Sequence, residues 1–221
     1  MTPEDRPWYG SSRKGDYRFH DTDSEHDEDE LLRVCNDERS TKPAIETFRG
    51  FEFVDSGWEW SVFRHHRHVY KIPSGRFEEV SDPRYMLNSE INYLKILRYV
   101  DEKYVAETQF HAEFIRQEFI DARHTDTVDL RHVDQPTRKE LICLFSSLLI
   151  LLQQEDWLPD LDIEPKNGIV EIKNWLLDRS GVPKVIDFTS YCDVFRLSER
   201  RLQIELPKQT KRLVEALRLL S

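Results

Sequence analysis

Between Phe48 and Pro73 the apolar residues come in short alternating runs, FEFVDSG, WSVFR and HVYKIP, whereas beyond Pro83 their spacing lengthens to that of a helix. A change of period from two to about 3.6 residues within one stretch restricts the fold class to mixed α and β. The early runs are rich in Val, Phe, Tyr and Trp and are punctuated by Gly57 and the RHHRH segment, which predicts three antiparallel strands. Ser81-Asp82-Pro83 supplies a cap and a first-turn proline, and Leu87, Ile91, Leu94 and Leu97 recur at helical steps. That pattern predicts an amphipathic helix of about four turns. YVAETQFH and FIRQEFIDA read as two further strands, so the expectation is a sheet of about five strands with one helix packed on it.

After a polar connector from Arg123 to Pro136, Leu141, Leu144, Phe145, Leu148, Leu149 and Leu152 mark one face of a strong helix. It leads into the acidic loop DWLPDLDIEPKN. NWLL, the DRSG turn and VPKVIDF then read as a β-hairpin with Gly181 at its turn. Ser198 to Leu220 reads as helix in two pieces, because Pro207 lacks the N–H that a continuous helix needs. The expected divisions are an acidic arm over 1–40, a sheet-bearing lobe over 41–121 and a mainly helical lobe over 122–221.

Composition narrows the function classes. The chain has 221 residues and a net charge of −10, a balance that repels phosphate backbones and argues against nucleic-acid binding. Ile142 to Leu152 falls short of the roughly 20 apolar residues of a bilayer crossing, so no membrane span is expected. MTPEDRPWYG carries no basic-then-apolar leader, and a cytoplasmic location is the expectation. Cys35, Cys143 and Cys192 lie far apart, which predicts reduced thiols, two of them in apolar surroundings. From Asp16 to Glu30 eight acids stand against Arg18 alone. Such a run predicts a solvated, flexible arm, with an electrostatic hook for a protein partner as its functional alternative.

Two placements suggest chemistry. At 100° per residue Glu90 falls between Leu94 and Leu97, inside the apolar stripe of the first helix, where a carboxylate needs a cation. Lys71, in the middle of the apolar run VYKIP, is the candidate partner. In a hairpin closed by 178–181, Asn174 and Asp187 emerge at the same open end. With Asp160 and Asp162 in the acidic loop, these oxygens suit Mg²⁺.

In order along the chain, VYKIP, SEINYLKIL, FIRQEFIDA, the leucine-rich helix, DIEPKN, NWLLD and KVIDF resemble the protein-kinase-like fold over about residues 48–196. The separations agree: 19 residues from Lys71 to Glu90 and 13 from Asn174 to Asp187. The resemblance implies a two-lobe α+β fold, with an antiparallel sheet and one helix in the first lobe and a reduced, mainly helical second lobe. It implies an ATP site with Lys71 on the α/β-phosphates, braced by Glu90, and Gly57 in the loop covering the phosphates. Glu118 and Ile120 would bound a hinge that meets the adenine through backbone groups. Asp187 and Asn174 would hold Mg²⁺, and Asp162 or Asp160 would act as the base. DIEPKN offers Asn167 as an alternative metal ligand, five residues after Asp162, but the hairpin favours Asn174.

The chain departs from that pattern in three ways. Its phosphate-covering loop SGWEWS has one glycine, Gly57, followed by Trp58 and Trp60; it has no His-Arg before the base Asp; and only 34 residues follow Asp187. Three functions stay open: phosphotransfer from ATP to a hydroxyl acceptor, a pseudokinase that binds nucleotide or partner without turnover, and an α+β adaptor without nucleotide.

Overall fold

Phe63 stands opposite Tyr70, and Val62 opposite Lys71, in the register that organises the sheet of a computed structural model of the chain. The structure describes residues 51–56, 60–73, 83–111, 114–122, 127–155, 157, 163–188 and 199–221; the 1–40 arm, Gly57, Cys35, Cys192, Asp160 and Asp162 lie outside them. The elements are β1 (Glu52–Ser56), β2 (Trp60–His65), β3 (His68–Pro73), α1 (Pro83–Tyr99), β4 (Thr108–Phe110), β5 (Ile115–Glu118) and β6 (Thr127–Asp129). They continue with α2 (Gln135–Glu155), β7 (Ile169–Glu171), β8 (Trp175–Leu177), β9 (Pro183–Val185) and α3 (Glu199–Leu220). The protein is therefore α+β, with a five-stranded antiparallel sheet and three α-helices among the described residues. By packing, the chain divides into Met1–Met86 with Glu107–Phe119, and Leu87–Ala106 with Ile120–Ser221.

In the first unit the strands run β1-β2-β3-β5-β4, each pair antiparallel, as the alternating runs predict. Alternation sends Phe51, Phe63, Tyr70, Ile72 and Phe114 to one face. Trp60, Val62, Val69 and Ile115 go to the other, where Met86 packs on them. The RHHRH segment forms the β2–β3 turn, with His66 at φ +52° and His65 paired with His68.

The second unit is built on α2, whose Leu141, Leu144, Phe145, Leu148 and Leu151 have no solvent exposure. Thr137 and Leu152 are also buried, whereas Leu149, expected on this face, is only half-buried. β6, which pairs with β7, lies inside what reads from sequence as a polar connector, because a three-residue strand is too short to display a period. α3 runs unbroken through Pro207, where two pieces were expected. Packing compensates for the missing hydrogen bond: Leu213, Ala216 and Leu220 are buried, and Arg212 donates to Glu164 Oε2 at 3.0 Å. Cys143 is exposed, and it is the described member of a trio of which two were expected in apolar surroundings. Among the described residues no helix is long and apolar enough to cross a membrane.

A short polar cluster ties the turn after α1 to α2. Tyr104 Oη donates to Glu140 Oε2 at 2.5 Å, and Lys103 Nζ donates to the same oxygen at 2.8 Å. The ammonium first, and the phenol second, hold the Glu140 carboxyl below its ordinary 4.5. A carboxyl whose pKa is lower folded than unfolded stabilises the fold fully above its ordinary value, and this contribution is lost as pH falls through the native value. Glu140→Gln is therefore expected to lower Tm by a few degrees at pH 7 and to reduce the decline of Tm below about pH 4.5. Melting curves between pH 3 and 7 check it; parallel curves for the two proteins would refute it.

Candidate functional site

Lys71 is a cation folded into a wall of apolar side chains. Its cross-strand neighbours are Val62 and Ile115, both in the cluster that receives Met86, and it is 5% exposed. The sequence-based alternative, in which Lys71 faces solvent, is excluded. A buried ammonium costs several kcal/mol unless oxygens or an anion meet it. Sequence reasoning missed a polar pair on the same face: Gln117, opposite Val69, is 1% exposed and donates from Nε2 to Thr108 Oγ1 at 2.9 Å. Its signal is a Gln and a Thr at inward positions of β5 and β4, where the alternation calls for apolar residues.

A separate candidate group lies in the second unit, on the hairpin of β8 and β9. Gly181 adopts φ +88° and donates its N–H to Asp178 O at 3.0 Å, a backbone conformation that costs glycine least. Asp178 Oδ1 accepts from Ser180 Oγ at 2.6 Å and from the Val182 N–H at 2.9 Å. With the turn so closed, Trp175 pairs with Val185, and Asn174 O accepts from Ile186 N at 3.0 Å and from Asp187 N at 3.2 Å. Asn174 and Asp187 thus stand side by side, as the hairpin argument requires, and both are half-buried. Two contacts brace this end. Trp175, with no exposure, lies edge-on to Phe145 of α2 at 6.0 Å, and Ala106 N donates to Val185 O at 2.9 Å. An amide oxygen and a carboxylate are donor types that hard cations prefer. Among the described residues no three His, Cys, Asp or Glu side chains cluster as metal ligands. Asn167, the alternative ligand, sits at φ +53° beside Gly168 in the exposed turn before β7, seven residues ahead of Asn174.

α1 turns differently from expectation. Its inward residues are Met86, Ser89, Asn92, Ile96 and Val100, all buried, and Tyr93 meets Phe188 edge-on at 4.9 Å. Leu87, Ile91 and Leu94 are 54%, 43% and 54% exposed, and Glu90 is exposed with them. The burial that motivated Glu90 as a cation's partner is therefore corrected. Apolar residues occupy opposite sides of this helix, and periodicity cannot say which side a fold will use. Ser89 and Asn92 on the inward side are the polar residues that sequence reasoning passed over; their steps of three and four from Met86 and Ile96 were the available signal.

The segment read as a hinge includes the division between units at Phe119 and Ile120. Glu118 N donates to Glu107 O at 2.9 Å and Phe119 N to Arg67 O at 2.8 Å, so these N–H groups are committed within the first unit. Ile120 is buried at 5% exposure. Gly57, Asp160 and Asp162 lie outside the described residues. Trp157, at the start of the acidic loop, is buried, with the Lys95 ammonium 5.3 Å from its ring centroid. No family model matches the chain, and no curated protein matches it.

Proposed function

We propose that this chain is a reduced kinase-like phosphotransferase that binds Mg-ATP and passes the γ-phosphoryl group to a hydroxyl acceptor. The observation that carries the reading is the meeting of Asn174 and Asp187 at the open end of the β8–β9 hairpin, 13 residues apart in sequence. The buried ammonium of Lys71 supports it.

The donor set fits both groups: a carboxylate and an amide oxygen suit Mg²⁺, and a desolvated ammonium suits phosphate oxygens. When bound, the metal neutralises charge on the transferring phosphoryl group. Asp187 and Asn174 would hold it, and the hairpin hydrogen bonds keep their backbones in place. Lys71 would orient the α/β-phosphates, the strand fixing its stem. Asp162 or Asp160 would accept the hydroxyl proton of the acceptor. Positioning and electrostatics of this kind are what phosphoryl transfer mainly asks of a protein. Bracing by Glu90 is left out, because its exposed position gives it no support.

That same exposure, with a phosphate-covering loop that has in sequence one glycine, Gly57, followed by Trp58 and Trp60, favours one second reading: a pseudokinase that binds nucleotide and does not turn it over. Melting with Mg-ATP tests the shared premise. At about 100 times Kd the gain is about 2.7 kcal/mol, or roughly 5–10 °C in Tm for a chain this size. Lys71→Met is expected to remove most of that shift. No shift at millimolar Mg-ATP would sink both readings, and a shift without ATP turnover would leave the pseudokinase.

A further inference from the structure

α1 carries an apolar stripe that its own fold leaves outside. At 100° per residue Leu87, Leu94 and Ile91 fall within about 60° of one another, and the buried positions Ser89, Asn92 and Ile96 lie across the helix from them. The spacing is that of a coiled-coil seam: Leu87 at d, Ile91 at a and Leu94 at d. Glu90 then occupies g on one flank and Lys95 occupies e on the other. Glu90 is exposed; Lys95 is half-buried, its ammonium close to Trp157.

We propose that this stripe is a self-association seam on which a second copy of the chain docks with its α1 parallel. Charge selects the occupant and its direction. In a parallel pair a g residue faces the e residue five positions later on the partner helix, and 95 follows 90 by five, so symmetry gives two Glu90–Lys95 pairs. An antiparallel pair would set Glu90 against Glu90. Ile at a with Leu at d is the combination that favours two strands over three or four. Arg98, at the next a position, is exposed and ends the seam. The apolar contact is therefore short, below the about 1,000 Å² of a lasting interface, and the dimer is weak and concentration-dependent. This inference stands independently of the nucleotide reading.

Sedimentation equilibrium of the full chain at up to about 100 μM tests it. The expected result is reversible dimerisation that Ile91→Glu abolishes, with melting temperature retained because residue 91 is exposed. Glu90→Lys or Lys95→Glu alone is expected to raise the dimer Kd at least about 10-fold, and Glu90→Lys with Lys95→Glu to restore it. Leu94→Cys is expected to form an inter-chain disulfide on mild oxidation, above the background from Cys35, Cys143 and Cys192, since equal d positions face each other only in a parallel pair. A chain that stays monomeric at 100 μM, a dimer indifferent to Ile91→Glu, or a double charge swap that fails to rescue would each overturn the proposal.

Discussion

Asp187→Ala is expected to lower ATP turnover by at least about 10³-fold, roughly 4 kcal/mol in the transition state, while leaving the fold intact. The argument starts from the backbone. Asp187 N and Ile186 N both donate to Asn174 O, so the residue is placed by main-chain bonds that alanine keeps. Its side chain is half-buried just past the end of β9, so removing it opens no core cavity. What goes is the only carboxylate at this end of the hairpin that the reading assigns to the metal; a single amide oxygen is a poor anchor for Mg²⁺. Asp187→Asn isolates charge from shape and should cost nearly as much. Turnover is read by phosphate release with saturating Mg²⁺, and folding by melting temperature. Parent-like turnover in both variants would remove Asp187 from the mechanism.

Trp175→Ala should have the largest effect on stability, about 3–5 kcal/mol. Trp175 has no exposure, meets Phe145 edge-on, and pairs with Val185 in the ladder that sets Asn174 beside Asp187. The cavity would open between the hairpin and α2, two elements held by regular backbone that can relax little into it. Trp175→Phe separates volume from chemistry. The Trp175 Nε1 has no hydrogen-bond partner, so losing it leaves no orphaned acceptor, and about 1–2 kcal/mol is expected from lost packing. For the alanine variant the urea midpoint should fall by about 1.5–2 M. A midpoint within about 0.3 M of the parent would show that the hairpin does not depend on this residue.

Legibility tracked the strength of local pattern. The five strands of the sheet could be read because alternation commits each residue to a face, and Phe63 and Val62 do go to opposite faces. The hairpin could be read because Gly181 marks a turn and antiparallel pairing then forces Asn174 and Asp187 together. β6 and β7 were illegible, since three residues each, paired 42 positions apart, leave no local trace. Gln117 and Thr108 were passed over because an isolated polar residue in a strand looks the same whether it lines a site or faces water.

The amino-acid sequence alone determined the periods, the turns and the side-by-side placement of two oxygen donors, because these depend on neighbours a few residues apart. Only tertiary structure decided how α1 turns. The helix is apolar on two opposite sides, and turning Met86, Tyr93 and Ile96 inward rather than Leu87, Ile91 and Leu94 is settled by distant partners, Val62 and Val69 for Met86 and Phe188 for Tyr93. That choice put Glu90 outside, and with it the leucines that form the seam.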